Sequence, residues 1–373
     1  MKFSDYFDKL EITPNLEGTI SEYLSELEES SDLEGCKMAL MFVSETRYSQ
    51  TEPLRNPQSV LDSLSGLFPH GFEPKIGLLG CLRLGKTLED TEYAITQIVL
   101  ELFQHRVLPV VIGGDRELTY SIYKAFEELE QIVNIASIDN ILNINGGQGA
   151  YIGRIIKEQP NYLFNYSNLG YQTYLVSGAE IELADELYFD VYRLGQMRGS
   201  IELSEPLIRS ADILSISMDS VKASDFKSST SPQPNGFYAE EICQTLRYAG
   251  LGEKLRAVVI TETSGDVSGV DALLISEMVW CLIDGLYSRR SEIPSSQNSS
   301  FLKYRVSLKN DEFNVVFYKS LNTDRWWMEV PVPPEYANKY RRHHLIPCDY
   351  NDYKEAANDD LPERWWRAYK KML

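Results

Sequence analysis

The fold of this chain is decided by the stretch 110–143, which reads VVIGGDRELTYSIYKAFEELEQIVNIASIDNILN. Two apolar segments in and beside it, at 108–112 and 132–138, have the continuous hydrophobicity of buried parallel strands. Polar runs follow both segments, at 113–117 and at 139–143. In an open α/β sheet, ligands bind beyond the carboxyl ends of the strands. We therefore expect a site where the two polar runs meet.

Outward from this stretch, apolar runs alternate with segments of helical periodicity. Predicted strands lie at 38–43, 76–80, 108–112, 132–138, 162–166, 211–218 and 257–260, and predicted helices at 60–67, 88–105, 118–129, 151–157, 181–189, 239–249 and 270–286. This alternation is typical of an α/β fold of three layers, in which helices cover both faces of a doubly wound, mainly parallel sheet. A glycine-rich turn is predicted at Gly146, Gly147 and Gly149.

Composition shifts divide the chain into three segments. Residues 1–35 are acidic, and apolar positions three and four apart between 20 and 27 predict an N-terminal helical cover. Residues 36–290 form the predicted α/β domain. A Ser-, Arg- and Pro-rich stretch at 288–300 indicates a boundary. Beyond it, 291–373 is predicted as a C-terminal α+β extension of short strands, at 304–308, 314–318 and 326–330, and a terminal helix.

The composition is that of a globular protein with a substantial core, since 43% of the residues are hydrophobic and 11% aromatic. Its 55 acidic and 36 basic residues give a formal net charge of −19, which disfavours binding to nucleic acid or to anionic lipid. No apolar run has the length of a signal peptide core or a membrane span, so we expect a cytoplasmic protein without membrane insertion. The five cysteines are scattered, and we interpret them as free thiols.

Four short motifs follow the predicted strands in order. They are Gly-Gly-Asp-Arg at 113–116, Asp-Asn-Ile-Leu-Asn at 139–143, Ser-Met-Asp at 217–219 and Thr-Glu-Thr at 261–263. This order resembles the ureohydrolase family of arginase, agmatinase and formimidoylglutamase, whose motifs are Gly-Gly-x-His, Asp-x-His-x-Asp, Asp-x-Asp and a substrate-binding Glu. Leu-Gly-Tyr-Gln at 169–172 is similar to formimidoylglutamase, and Pro-Asn-Gly-Phe-Tyr at 234–238 resembles a family turn. The resemblance spans roughly 35–290 and implies the arginase-like fold.

The resemblance also implies that most metal ligands of the family are missing here. In the enzymes, two His and four Asp hold two manganese ions that activate a hydroxide. The His positions carry Arg116 and Ile141, two Asp positions carry Asn143 and Ser217, and only Asp139 and Asp219 remain. We therefore predict no catalytic residues and no metal, and a vestigial site made of Asp115, Arg116, Asp139, Ile141, Asn143, Ser217 and Asp219. We expect Arg116 to pair with Asp139 and Asp219 in place of the metals.

Other interpretations of these residues stay open. Asp139 and Asp219 could hold a single Mg, Ca or Mn ion with help from Asp115 or Glu262. Glu262 matches the substrate-binding Glu of the family and could bind a cationic ligand, or it could be an acid paired locally at a strand end. Gly113 and the glycine after it lack the Lys and the spacing of a phosphate-binding loop, so they predict a tight strand-to-helix turn.

Two tryptophan pairs, Trp326 with Trp327 and Trp365 with Trp366, are candidates for partner contacts, because Trp beside Arg is typical of interface hot spots. Alternatively, these aromatics attach the extension to the chain's own domain. A basic run at 339–344 either faces the acidic surface of another subunit or is solvated.

Together these features predict a cytoplasmic pseudoenzyme of ureohydrolase fold that has no cofactor and acts through a protein partner or self-association. The alternative is a metal-dependent C–N hydrolase of a guanidino or formimino compound, similar to formimidoylglutamase, with manganese bound in an altered or single-metal site. A second alternative is a non-catalytic sensor of a cationic metabolite.

Overall fold

The computed structural model describes residues 1–145, 150–290, 292–294, 300–308 and 313–373. The glycine-rich turn predicted at Gly146, Gly147 and Gly149 lies outside the described residues, as does Ser291 at the predicted boundary. Within the described ranges, the strands form a large sheet of ten and a small sheet of four. No helix of the described part of the chain is long and apolar enough to cross a membrane.

The large sheet is mainly parallel, as predicted. Its strands are β1 (Phe7–Asp8), β2 (Leu24–Glu26), β3 (Met38–Phe42), β4 (Ile76–Leu82), β5 (Leu108–Ile112), β6 (Val133–Ile138), β7 (Leu163–Tyr171), β8 (Asp190–Arg193), β9 (Ile213–Ser217) and β10 (Ala257–Thr261). They lie in the order β1-β4-β3-β5-β10-β9-β6-β7-β8, with β2 paired to β4. Only β1 runs antiparallel to its neighbour among these described strands.

Helices cover both faces of this sheet. The α-helices are α1 (Pro57–Ser65), α2 (Leu88–Gln104), α3 (Leu118–Glu128), α4 (Tyr151–Ile155), α5 (Gly178–Glu186), α6 (Leu194–Met197), α7 (Glu205–Arg209), α8 (Ala239–Leu251) and α9 (Val270–Tyr287). Short 3₁₀ helices occur at Phe3–Asp5, Ile20–Tyr23, Ser30–Leu33, Thr173–Leu175, Ile201–Ser204, Met218–Ser220 and Pro334–Tyr336. The sequence did not predict β8, α6 or α7, and it predicted only the first part of β7.

Burial on both faces explains why the central strands read as continuous apolar runs. In β3, Met38 and Leu40 pack into a core with α1 and α6 to α9, whereas Ala39 and Met41 pack into a second core with α2 to α5. Successive side chains of a strand point to opposite faces, so both sets must be apolar. The three-layer α/β prediction is therefore confirmed.

The N-terminal helical cover was predicted wrongly. Residues Ile20–Tyr23 form a single 3₁₀ turn, after which β2 pairs in parallel with β4. Ile20, Leu24 and Leu27 are buried as their spacing requires, but they pack at a sheet edge. The outer edge of β4 would otherwise present unpaired backbone groups, and the hydrogen bonds from β1 and β2 satisfy them. A pattern of burial three and four apart therefore did not require a helix here.

The C-terminal extension has its own antiparallel sheet and core. It consists of β11 (Phe301–Leu308), β12 (Phe313–Ser320), β13 (Trp326–Glu329) and β14 (Leu345–Cys348), followed by α10 (Tyr350–Ala357) and α11 (Glu363–Met372). The extension packs at the amino-terminal ends of the parallel strands. Arg342 Nη2 lies 2.6 Å from Asp212 Oδ1, just before β9, and Arg367 Nη1 donates to the carbonyl oxygen of Phe189, just before β8, at 2.7 Å.

Candidate functional site

The predicted site residues meet at the carboxyl ends of β5, β6, β9 and β10. These strands are adjacent, and their registers align Ile112 with Ile260, and Ile138 with Ile216. Gly113 and Gly114 turn the chain from β5 toward α3 with φ angles of 101° and 70°. A Cβ atom on Gly113 would lie 2.4 Å from the carbonyl oxygen of Val43, so this turn requires glycine. The turn places the next residues above the sheet edge.

The guanidinium of Arg116 is the centre of the cluster. Its Nε donates to Asp139 Oδ2 at 2.9 Å, and its Nη2 donates to Asp219 Oδ2 at 2.8 Å. Its Nη1 lies 3.2 Å from Glu262 Oε1, and Nη2 also donates to Ser217 Oγ at 3.0 Å. The Arg116 side chain is 13% exposed and the three acids are each 2% exposed. The predicted ion pairs to Asp139 and Asp219 are present, and Glu262 joins them.

The carboxylates are held by further hydrogen bonds from the surrounding loops. Asn143 Nδ2 donates to Asp139 Oδ2 at 2.9 Å, and the backbone N–H of Ser231 donates to Asp219 Oδ1 at 2.7 Å. Asn143 has a φ of 57°, a conformation that Asn adopts more readily than most residues. These donors leave the Asp139 and Asp219 carboxylates fully engaged within the chain.

Glu262 differs from the two Asp residues in its surroundings. Its backbone is left-handed, with a φ of 60°, and its Oε1 accepts the backbone N–H of Arg116 at 3.0 Å. Its Oε2 is buried and has no hydrogen-bond partner among the described residues. A carboxylate oxygen in that position gains less from ionisation than one with a donor.

Burial and neighbouring charges shift the pKa of these groups. Burial disfavours the charged form of Arg116, but Asp139, Glu262 and Asp219 outweigh that effect and raise its pKa well above the usual value. Burial raises the pKa of Asp219 against the opposing effect of Arg116. Burial also raises the pKa of Glu262 to about 7, with a further contribution from Asp219, while Arg116 opposes the shift. Near neutral pH, Glu262 is therefore partly protonated, and the permanent charge of Arg116 is balanced mainly by two aspartates.

The donor set does not fit two manganese ions. Asp139 and Asp219 are the remaining acids of the family pattern, and each accepts a charge-assisted hydrogen bond from the Arg116 guanidinium. A divalent ion at coordinating distance from either carboxylate would lie against that fixed positive charge. Across the described residues, no group of three or more His, Cys, Asp and Glu side chains could hold a metal ion.

Two residues of the predicted site contribute no side-chain hydrogen bond to the cluster around Arg116. The Asp115 carboxylate accepts the backbone N–H groups of Tyr48 and Ser49 at 3.1 and 3.2 Å and thereby holds the loop after β3. Ile141 packs its partly buried side chain against the core on the α2 to α5 face. Its backbone N–H donates to Asp139 Oδ1 at 3.4 Å. An apolar residue at this position supplies packing and no ligand atom.

A second ion-pair network lies beside the first and was missed from the sequence. Arg154 Nη1 lies 2.7 Å from Glu117 Oε2 and 2.8 Å from Glu92 Oε1. Its guanidinium also stacks over the ring of Tyr120, 3.7 Å from the centroid. Glu92 lies on α2, Glu117 immediately before α3 and Arg154 on α4, so no sequence spacing indicated that they would meet.

Most of the tryptophan candidates are buried within the chain. Trp326, Trp327 and Trp365 are 8%, 7% and 2% exposed. Arg209 Nη2 donates to the carbonyl oxygen of Trp326 at 3.0 Å, and Trp365 Nε1 donates to that of Glu329 at 2.8 Å. Trp366 is half-buried. The first three tryptophans therefore hold the extension together and against α7, as the alternative interpretation stated.

The basic run at 339–344 also makes contacts within the chain. Arg342 forms an ion pair with the fully buried Asp212, and His343 is 2% exposed and packs against the ring of Phe164. Burial, together with Lys254 and Arg342, lowers the pKa of His343 well below its usual value. Part of this run therefore joins the extension to the large sheet.

Comparisons with known proteins agree with the architecture. No protein-family model and no curated protein matches the sequence. The structure is similar to formimidoylglutamase from Bacillus subtilis, with a TM-score of 0.64 and 15% identity over 74% of this chain and 94% of that chain. It is also similar to formiminoglutamase from Trypanosoma cruzi solved with manganese, with a TM-score of 0.61 and 14% identity over 69% and 95% of the two chains.

An arginase from Medicago truncatula gives a TM-score of 0.58 and 14% identity over 68% of this chain and 91% of that chain. The structural alignments include more than nine tenths of each neighbour's chain, while about a quarter to a third of this chain has no counterpart in them. The topology, the motif order and these likenesses together lead to one conclusion: this chain has the arginase-like fold of the ureohydrolases.

Proposed function

We propose that this chain is a pseudoenzyme, a ureohydrolase-fold protein that does not hold the dinuclear manganese centre and acts in the cytoplasm by binding rather than by hydrolysis. The observation that carries the proposal is the position of Arg116. Its guanidinium contacts Asp139, Asp219 and Glu262 at once. The fold alone does not guarantee the activity of its relatives, because function depends on the residues of the site.

Charge balance supports this assignment. Two divalent ions bring four positive charges and need several anionic or imidazole ligands around them. The cluster here offers Asp139 and Asp219, with Glu262 partly protonated near neutral pH. These acids carry at most three negative charges, one of which the Arg116 guanidinium already neutralises, whereas two divalent ions would bring four positive charges. Without a metal to activate water, the chain lacks the nucleophile that this type of hydrolysis uses.

The decisive measurement is metal content. We expect inductively coupled plasma mass spectrometry to find no stoichiometric manganese in protein purified from manganese-supplemented cells. The Trypanosoma cruzi formiminoglutamase, which has been solved with manganese, serves as the control prepared in parallel. We also expect no release of urea, formamide or ammonia from arginine, agmatine or formiminoglutamate. Two manganese ions per chain, or turnover of any of these compounds, would overturn the proposal.

A sensor of cationic metabolites is the second candidate, because the motif order matches Glu262 to the substrate-binding Glu of the ureohydrolases. Its Oε1 already contacts the backbone N–H and the guanidinium of Arg116. The guanidinium of a free ligand would therefore have to displace the guanidinium of Arg116, which is part of the same chain. We therefore expect arginine and agmatine to leave the melting temperature unchanged in a thermal-shift assay. A concentration-dependent increase would favour the sensor, since a ligand of the folded state raises its stability.

The proposal includes a protein partner or self-association as the mode of action. About a quarter to a third of this chain has no counterpart in its structural neighbours, and the exposed face of the extension is where we expect such contacts. Light scattering on the purified protein tests the self-association part, and a mass that stays monomeric at high concentration would contradict that part alone.

A further inference from the structure

A cavity of about 500 Å³ lies between the large sheet and the extension, at the opposite sheet edge from Arg116. Its walls come from the ends of α7 and α8, the segment that follows α8, residues 292–293, β13, and β14 with the segment before it. The volume falls in the range of small-molecule sites, roughly 300 to 1,000 Å³. The cavity exists only because the extension packs onto the amino ends of β9 and β10.

The lining of this cavity is strongly basic for a chain of net charge −19. Among the described lining residues, the Lys and Arg side chains are Arg209, Lys254, Arg325, Arg341 and Arg342. Two carboxylates, Glu253 and Glu292, also line it. Glu253 Oε1 accepts the backbone N–H of Glu292 at 2.6 Å, and Glu292 Oε1 accepts the hydroxyl of Ser320 at 3.0 Å. Both acids are thus engaged by local donors.

The cations are only partly neutralised by acids behind them. Arg342 pairs with Asp212 at 2.6 Å, and Glu205 Oε1 is shared by Arg209 Nε at 2.8 Å and Arg325 Nε at 3.2 Å. With Glu205 and Asp212 counted beside the two lining carboxylates, the five cations still exceed the acids by one. Arg341 is exposed, and no ion pair is found for its side chain within the described ranges. Arg341 therefore has donors available for a ligand.

Arg209 provides a second, independent indication. It is 5% exposed, and its Nη1 has no hydrogen-bond partner in the described part of the chain. Its guanidinium lies over the ring of Trp327, 4.4 Å from the centroid. Burial lowers the pKa of Lys254 to about 8, and Arg342 and Arg209 contribute while Asp212 opposes the shift. Cations that repel one another in a half-buried cavity are stabilised when an anion enters.

The remaining walls are apolar. Leu251, Ile293, Leu345 and Pro347 line the cavity together with the indole of Trp327. A bare inorganic ion would leave this surface in contact with water, whereas an organic anion covers it and gains free energy from its burial. We propose that this cavity binds a small organic anion, in which a phosphate or carboxylate group contacts the arginines and an apolar body lies against Trp327 and its aliphatic neighbours.

The test uses three probes that separate the head group from the body. 1-Naphthyl phosphate and 1-naphthoate share an apolar body and differ in the anionic group, and inorganic phosphate has no body. We expect isothermal titration calorimetry to give 1-naphthyl phosphate or 1-naphthoate a dissociation constant below about 1 mM, and roughly tenfold tighter binding than inorganic phosphate. The naphthyl probe that binds more tightly shows whether the arginines prefer a phosphate or a carboxylate group.

Matched variants connect the binding to the cavity. We expect Arg341→Ala to raise the dissociation constant of the tighter-binding naphthyl probe by roughly tenfold, since the substitution removes a charge-assisted contact. The control is Arg305→Ala, which removes an exposed arginine from β11 of the same small sheet but does not line the cavity. Arg341 is exposed, so its variant should keep the wild-type melting temperature.

Failure of both naphthyl probes to bind, or equal binding by Arg341→Ala and wild type, would overturn the proposal. Equal affinity for inorganic phosphate would overturn its organic part. None of these outcomes depends on manganese or on Arg116.

Discussion

The two ends of the parallel strands, called here the carboxyl edge and the amino edge of the large sheet, differ in how their charged side chains are paired. At the carboxyl edge, one arginine is surrounded by three acids, and the Asp139 and Asp219 carboxylates are engaged from within the chain. At the amino edge, five basic side chains line an open cavity, and Arg209 and Arg341 retain donors that no described residue uses. At the carboxyl edge, where a parallel sheet usually binds its ligand, the side chain of Arg116 occupies the space between the acids. At the amino edge, a cavity remains between the basic side chains.

This difference shows that the residues, and not the fold alone, decide at which end of the strands basic side chains are left without acidic partners. The rule that ligands bind at the carboxyl ends of strands correctly located the cluster of polar residues. It could not indicate that one residue of the cluster, Arg116, would fill the space. The extension, by contrast, adds basic residues to an edge at which this type of sheet is not expected to bind anything.

The largest effect is expected from Arg116→Ala. The substitution leaves Asp139 and Asp219 buried and without a counter-charge, so we expect the free energy of unfolding to fall by roughly 3 to 5 kcal/mol. Urea denaturation measures the change. Arg55→Ala is the control, because Arg55 pairs with Glu52 at the surface and such pairs contribute about 0 to 1 kcal/mol. A loss as small as that of the control would show that the carboxylates at this edge do not depend on Arg116.

Arg342→Ala tests the amino edge and should have a smaller effect. It removes the partner of Asp212, which is fully buried, but Arg342 itself is 40% exposed and water can replace part of its interaction. We expect a loss of about 2 kcal/mol, measured by the same urea titration. The double variant with Asp212→Asn should recover part of the loss, because the uncompensated charge is then gone. Strictly additive losses would indicate that the two residues are not coupled.

The strands and helices that position the Arg116 cluster could be predicted from the sequence because their burial is simple. β3, β5, β6, β9 and β10 are buried on both faces, so apolar residues dominate each of them, and their polar residues in β6 and β9 are buried Asn and Ser side chains. The pairing of Arg116 with Asp139 and Asp219 followed from the fold, since adjacent strand ends bring these residues together. The contribution of Glu262 Oε1 depends on its left-handed backbone, with a φ of 60°, which no sequence pattern indicated.

The parts that could not be predicted depend on contacts between distant segments. Leu24 belongs to a strand because β4 has a free edge, and the helical spacing around it carries no information about that edge. The basic cavity requires Arg209 and Trp327 to stack across the junction with the extension, although they are more than a hundred residues apart in the chain. Composition indicated tryptophan beside arginine, but only the packing showed that the contact lies within one chain.

The pH dependence of stability offers a smaller test of the carboxyl edge. The pKa of Glu262 is raised from an ordinary 4.5 to about 7, so between these values the folded chain binds a proton that the unfolded chain has released. Stability therefore falls as the pH rises through this window. Glu262→Gln removes the titration, and we expect it to exceed wild type by on the order of 1 kcal/mol at pH 8 and by less at pH 5. Chemical denaturation at both pH values measures this, with the exposed Glu11→Gln as the control. An equal difference at the two pH values would contradict the assigned shift.

The smallest expected effect is that of Arg116→His on metal binding. This substitution introduces a family ligand and removes the cation, yet Ile141 offers no ligand atom, and Asn143 and Ser217 offer neutral oxygens in place of carboxylates. Neutral oxygens bind divalent ions weakly without enough carboxylates around them. We therefore expect no stoichiometric manganese in the folded variant and no hydrolysis of formiminoglutamate. Circular dichroism must first establish that the variant is folded, because the lost ion pairs destabilise it. Stoichiometric manganese in this variant would show that Arg116 alone keeps the metal out of the cluster at the carboxyl ends of the strands.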